Sequence, residues 1–253
     1  MNKIIIDKND IIDLDNKIVL KKEDKYQINI MKNTSLYIEI NNDNNLILDF
    51  NINKNVKLKL YIIKKCSNNT IYEHYVLEKN SKLDVDKFND VNNINENVTI
   101  DLIKENAICN YNFKTISKTK ENYNLIINHN SKNTISLIKN NGVNIEKGEL
   151  LFNVSCYIKK GNNKCITNQN NRIINETNNR CLILPNLFIS ENDIEASHSA
   201  YIGTLKENEI FYLESRGISK NEAKKLLIKG YLLSNIDKCI LSKVNSIIDK
   251  YWR

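Results

Sequence analysis

Glycine is absent from the first 141 residues of this chain, and proline occurs once, at Pro185. The first Asn-Gly is Asn141-Gly142, so the preceding region lacks the dipeptides whose positive φ at both central positions makes tight antiparallel hairpins. No run approaches the roughly 18 consecutive apolar residues that a membrane-spanning helix needs. The opening MNKIIIDKND has only a three-residue apolar run ahead of Asp7, too short for a secretory signal, so the chain is expected in the cytoplasm. The six cysteines, Cys66, Cys109, Cys156, Cys165, Cys181 and Cys239, form no C-x-x-C pair and are read as free thiols. A phosphate-binding G-x-x-x-x-G-K-[ST] loop is also missing. The net charge of +7 is spread among Asp and Glu without a basic stripe, which argues against nucleic acid as a partner.

What is abundant is asparagine set between short β-like runs. SLYIEI (35–40), NLILDF (45–50), VKLKLYII (56–63), TIYEHYVLE (70–78), KLDVDKF (82–88), VTIDLI (98–103), YNLIINHN (123–130) and TISLIK (134–139) form a series, and Val56, Leu58, Leu60 and Ile62 alternate as in a half-buried strand. Such spacing suits a sandwich, a barrel or a β-solenoid. Asparagine tolerates the left-handed region better than other non-glycine residues, and stacked asparagines can bond from coil to coil, which favours the solenoid. The repeats are too loose to assign a fixed period.

After Gly203 the pattern becomes helical. Thr204 with Glu207 and Ser219 with Glu222 have capping-box spacing, and Arg216-Gly217 suits a glycine C-cap. The second helix is expected to put Ala223, Leu226, Leu227, Gly230 and Tyr231 on one face. A third, from about Ile236, aligns Ile240, Leu241, Val244, Ile247, Ile248 and Tyr251. The expected division is a β core over 1–203 and a helical module over 204–253, the module's simplest role being to cover the solenoid's open end.

The segment PNLFISENDIEASHSAYIGTLKENEIFYLESRGISKNEAKKLLIKGYL, 185–232, resembles the C-terminal signature of the SufB/SufD family of iron-sulfur cluster assembly proteins. Pro185, Leu187, Ile189, Asn192, Asp193, His198, Gly203, the run Phe211-Tyr212-Leu213, Ser215-Arg216-Gly217-Ile218 and Glu222-Ala223 carry it without a gap. Residues 129–174 are more faintly similar to the preceding coils, and the first 120 show only β character. The resemblance implies a right-handed parallel β-helix followed by helices, a non-enzymatic scaffold role, and pairing through the β-helix with a SufB/SufD-like paralogue or with itself. It also implies a SufC-like ABC ATPase bound on the C-terminal helices, where any ATP hydrolysis would reside. Members often carry an N-terminal helical region; this chain is expected to begin directly at the β part.

Docking residues are expected on 204–233, with Phe211, Tyr212, Leu213, Leu226 and Tyr231 as apolar anchors and Arg216 as a bidentate donor. Cluster chemistry is implied by His198, since clusters are held mainly by Cys thiolate and less often by His. Cys181 and Cys165 flank it as candidate second ligands, and Glu195 is a candidate hard ligand for iron. The implied cofactor is a transient iron-sulfur cluster, none tightly bound, with no separate metal site. The chain departs from the family where many SufD-like members have Cys-x-His, here Ala196-Ser197-His198, and where the SufB-like assembly cysteine would fall, here Asn170. The acidic residue that follows the histidine in SufB is Ser199. His74 and His129 have no second ligand type at metal spacing and are assigned no role. Two other readings stand beside the scaffold: an iron- or cluster-transfer protein using His198 and a cysteine, and a solenoid adhesion or carbohydrate-processing protein, which the missing export signal disfavours.

Overall fold

The computed structural model describes residues 2–6, 17–20, 25–41 and 43–252; the other positions, including Asp7 and most of the opening stretch, lie outside the described residues. Among the described residues sixteen strands alternate between two parallel eight-stranded sheets. One sheet stacks β1 (Asn2–Ile6), β3 (Lys25–Ile30), β5 (Leu46–Ile52), β7 (Thr70–Leu77), β9 (Ile94–Leu102), β11 (Lys120–His129), β13 (Glu149–Ile158) and β15 (Cys181–Ile189). The other stacks β2 (Lys17–Leu20), β4 (Thr34–Ile40), β6 (Lys57–Lys64), β8 (Lys82–Asn89), β10 (Ile108–Ser117), β12 (Ile135–Asn144), β14 (Cys165–Asn175) and β16 (Ile194–Gly203). Consecutive strands fall in opposite sheets and each pairs with the strand two ahead, which is a parallel β-solenoid. The register step varies along the chain, from 22 residues at Tyr26↔Leu48 to 31 at Leu150↔Cys181. A changing step explains why no fixed repeat can be read from the sequence.

Asparagine makes the corners of the middle coils, and Glu146 (φ 54°) and Lys164 (φ 56°) take the same backbone further on. Asn55, Asn80, Asn106 and Asn133 take φ between 55° and 62° at one corner of successive coils, and Asn68 and Asn93 take φ of 55° and 49° at the other. Their amides form ladders: Asn80 donates to Asn55 and Asn106 to Asn80, both at 2.9 Å, and Asn93 to Asn68 at 2.9 Å. One residue type thus supplies both the left-handed backbone and the coil-to-coil bond.

Between the sheets lies an apolar core that includes Leu48, Phe50, Leu60, Ile62, Tyr75, Ile100 and Phe152. It encloses a charged group. Lys64 Nζ bonds Glu73 at 2.5 Å and Glu96 at 2.8 Å, and Lys87 Nζ bonds both oxygens of Glu73 at 2.9 Å, Glu96, and the Tyr111 hydroxyl at 3.1 Å. Burial alone would raise the Glu73 carboxyl, but the two ammonium groups outweigh it and hold it at about 2. One coil further on, Glu121 accepts from Thr115 at 2.9 Å and Tyr123 at 2.7 Å with no cation beside it among the described residues, and burial pushes its carboxyl up to about 8.

Three helices follow: α1 (Glu207–Ser215), α2 (Lys220–Leu233) and α3 (Lys238–Ile248), ending in a 3-10 turn, Asp249–Trp252. None is long and apolar enough to cross a membrane. Ser219 and Glu222 form the expected capping box, whereas α1 is N-capped by Lys206 with no side-chain bond, so the Thr204–Glu207 spacing is not used. Gly217, at φ 84°, supplies the turn after α1. On α2 Ala223, Ile228 and Leu232 are buried and Leu227 and Tyr231 pack beside them; Leu226 and Gly230, expected on the same face as Ala223, are exposed.

The helices do not cover the open end of the solenoid. They lie along the outer face of the even-numbered sheet, where Tyr37, Tyr61, Ile63, Phe88, Ile116, Val143 and Ile174 form a second core with Ile228, Leu232, Ile240, Val244, Ile247 and Ile248. Polar ties run the length of this contact, from Tyr231 Oη on the Arg172 carbonyl (2.7 Å) to Lys243 on Glu39 and Tyr251 on Asp90. Six strands carry apolar residues on this side, in register between Tyr37 and Tyr61, between Ile63 and Phe88, and from Ile116 through Val143 to Ile174, which makes the side of the sheet, and not its end, the seat for an amphipathic pair of helices.

Candidate functional site

The last coil, β15 and β16, has no following coil among the described residues, so its inward residues form the open end of the interior. Register with β14 pairs Cys165 with Ile194, Thr167 with Ala196, Gln169 with His198 and Asn171 with Ala200. Cys165, Thr167, Gln169 and Asn171 are all buried inside, so Ala196 and His198 sit on the inward face and Glu195, Ser197 and Ser199 on the outward one.

His198 Nδ1 lies 3.0 Å from the Pro185 carbonyl oxygen across the coil. A carbonyl only accepts, so Nδ1 carries the hydrogen and the neutral ring has its lone pair on Nε2. This is how metal-binding imidazoles are commonly oriented, with one nitrogen anchored to a carbonyl and the other free. Beneath it, Gln169 is fully buried, donates Nε2 to the Asn186 carbonyl at 3.4 Å, and has no hydrogen-bond partner for Oε1.

The other candidates are not brought to His198. Cys165 belongs four residues before Gln169 in the row below, about 13 Å along the strand at ~3.3 Å per residue. Its Sγ bonds Thr134 Oγ1 at 3.2 Å and the Ser131 carbonyl at 3.3 Å. Cys181 precedes Pro185 by four residues, about 13 Å in strand length toward the opposite side of the coil, and burial raises its thiol. Glu195 points away, on the outer face. Asn170 is likewise outward and exposed. Among the described residues no three His, Cys, Asp or Glu side chains are grouped as a metal site. His129 is buried between Thr134 (2.7 Å) and Ser136 (2.9 Å), and burial lowers it to about 4; His74 bonds Asp101 at 2.7 Å. Both are structural hydrogen-bonders.

The helical candidates divide into two sets. Phe211 is 72% exposed, Tyr212 57% and Leu226 48%, and the Arg216 guanidinium stacks 5.4 Å from the Tyr212 ring centroid. Leu213 and Tyr231 instead pack toward the solenoid. On α1, Ile210 is the buried anchor, so the neighbouring aromatics face away from the sheet.

Sequence reasoning missed Gln169 as the residue under His198 and missed the interior charges. For the latter a signal existed: Glu73 is in phase with Ile71, Tyr75 and Leu77 in TIYEHYVL, an acidic residue on the buried face.

The profile of the family described as "SUF system FeS cluster assembly, SufBD core domain" matches residues 7–231. The iron-sulfur cluster assembly protein SufD of Bacillus subtilis is 32% identical over 143 residues, 52% of this chain and 33% of the relative. An iron-sulfur cluster assembly SufBD family protein of Pyrococcus horikoshii is 38% identical over 68 residues, 26% of this chain and 15% of the relative. One from Methanothermobacter thermautotrophicus is 38% identical over 53 residues, 21% and 13%. The matches thus span a third or less of the length of these relatives.

Proposed function

Because the chain belongs to the SufBD core family of the SUF iron-sulfur cluster assembly system, we propose that it is a non-enzymatic scaffold subunit. It works in the cytoplasm, pairs through its β-solenoid with a SufB/SufD-like chain, either a paralogue or a second copy, and holds a SufC-like ABC ATPase on its helices. The core over 1–203 and the docking module over 204–253 divide this labour, and ATP is hydrolysed by the partner.

The observation that carries the reading is the apolar and aromatic surface of α1 and α2. Phe211, Tyr212 and Leu226 are exposed on helices whose opposite face is seated on the solenoid, and Arg216 stands beside them. Exposed anchors of this type on a rigid support suit a protein interface. The terminal coil supports the pairing: β15 and β16 end their sheets, and Leu184, Phe188, Tyr201 and Ile202 are exposed on it. The test is co-purification of the tagged chain with an ABC ATPase and a SufB/SufD-like protein from its own genome. Recovery of the ATPase supports the scaffold; a monomer that binds neither contradicts it.

The cluster is cargo in this account. His198, with its free Nε2, is this chain's contribution, and the remaining ligands come from the paired chain, since Cys165 and Cys181 are turned to other parts of the coil. The second reading, a transfer protein with its own His and Cys ligands, is favoured by the anchored imidazole alone.

A further inference from the structure

The terminal strand has few neighbours, yet one side chain ties it to the helices. Arg172, outward on β14, lies with its guanidinium carbon 4.8 Å from the ring centroid of Tyr201 on β16 and 5.4 Å from that of Tyr231 on α2. The Tyr231 hydroxyl donates at 2.7 Å to the backbone carbonyl of this same Arg172 and lies 3.1 Å from Asn141 Oδ1, one strand further in. Tyr201 is paired with Arg172 in register. Its ring lies back over Gly203: a Cβ on Gly203 would stand 2.3 Å from the Tyr201 hydroxyl oxygen, so the lack of a side chain there is what admits the ring. Three elements that are not adjacent in sequence thus share one cation held between two aromatic faces.

We infer that the Tyr231–Arg172–Tyr201 stack is a clamp that makes helix α2 and the terminal strand β16 move as one. Tyr201 and His198 lie on the same strand, three residues apart and on opposite faces. A partner that shifts α2 withdraws one face of the clamp and loosens the strand that carries His198; a partner that seats α2 more firmly tightens it. What pulls on α2 is taken from the docking reading above, but the clamp exists in the isolated chain and is tested there.

Hydrogen exchange measured by mass spectrometry on the purified chain compares peptides of β16 (194–203) with those of β15 (181–189), which the stack does not touch. Tyr231→Leu removes the helix's ring and Arg172→Gln removes the cation without disturbing the helix. Each is expected to raise exchange in β16 roughly tenfold while leaving β15 unchanged. The double variant adds nothing beyond the larger single effect, because both changes break one stack. Tyr231→Phe, which keeps the ring, gives the smaller change. Unaltered β16 exchange in Arg172→Gln, equal rises in both strands, or effects that multiply in the double variant would each overturn the clamp. Failure of an ATPase to bind would overturn the docking reading and leave these rates as they are.

Discussion

His198 lies one coil above Gln169, in direct register, at the open end of a row whose next member inward is Ile138. The row passes from an apolar side chain to a buried amide with an unpaired oxygen and then to an imidazole with a free nitrogen.

That arrangement predicts a single protein ligand. Ferrous iron or a reconstituted cluster should bind the isolated chain weakly, and His198→Ala should abolish what binding there is, followed by anaerobic visible absorbance. Ala196→Cys restores a Cys-x-His pattern on the inward face, with side chains about 7 Å apart. It should raise iron retention at least several-fold. An unchanged spectrum in His198→Ala removes the histidine from the account.

The buried charges predict an acid-sensitive core. Glu73→Gln leaves Lys64 and Lys87 short of a countercharge and should destabilise the chain by about 3–5 kcal/mol in urea unfolding near neutral pH. The folded Glu73 carboxyl is held near 2 against an ordinary 4.5, so its contribution is complete above about pH 4.5 and is lost as pH falls through 2. Glu73→Gln should therefore flatten the acid side of the stability profile, and an unchanged profile would show that the pair contributes nothing.

Glu121 acts in the opposite sense. Its folded carboxyl is raised to about 8 from 4.5, so its contribution is intact below about pH 4.5 and is lost as pH rises through 8. Glu121→Gln keeps the shape and removes the titration. At pH 9 it should be more stable than the parent by on the order of 3 kcal/mol, with a much smaller difference at pH 5. Equal denaturation midpoints at pH 9 would contradict this.

Much of the fold was legible because its causes are local. Asn55, Asn80 and Asn106 were readable as corner residues, since the left-handed preference belongs to asparagine itself, and the alternation in VKLKLYII matches β6. The position of the helices was not: an amphipathic pattern reports that α3 has a buried face, but not that Tyr61, Phe88 and Ile116, from three different coils, provide the seat. Leu226 was misplaced for the same reason, because Ala223, Ile228 and Leu232 are an equally good stripe. At the site, His198 could be found from its motif, whereas the distance of Cys165 and Cys181 from it depends on inter-coil register that a loose repeat does not encode.

The central claim is that the exposed face of α1 and α2 holds an ATPase. Native mass spectrometry of the chain co-expressed with an ABC ATPase from its own genome tests it most directly. The account predicts a complex containing both proteins that Phe211→Ala with Arg216→Glu weakens at least a hundredfold, about 2.7 kcal/mol, while thermal unfolding of the chain is unchanged, both side chains being exposed. No complex in the parent, or one that survives the double substitution at full affinity, would contradict it.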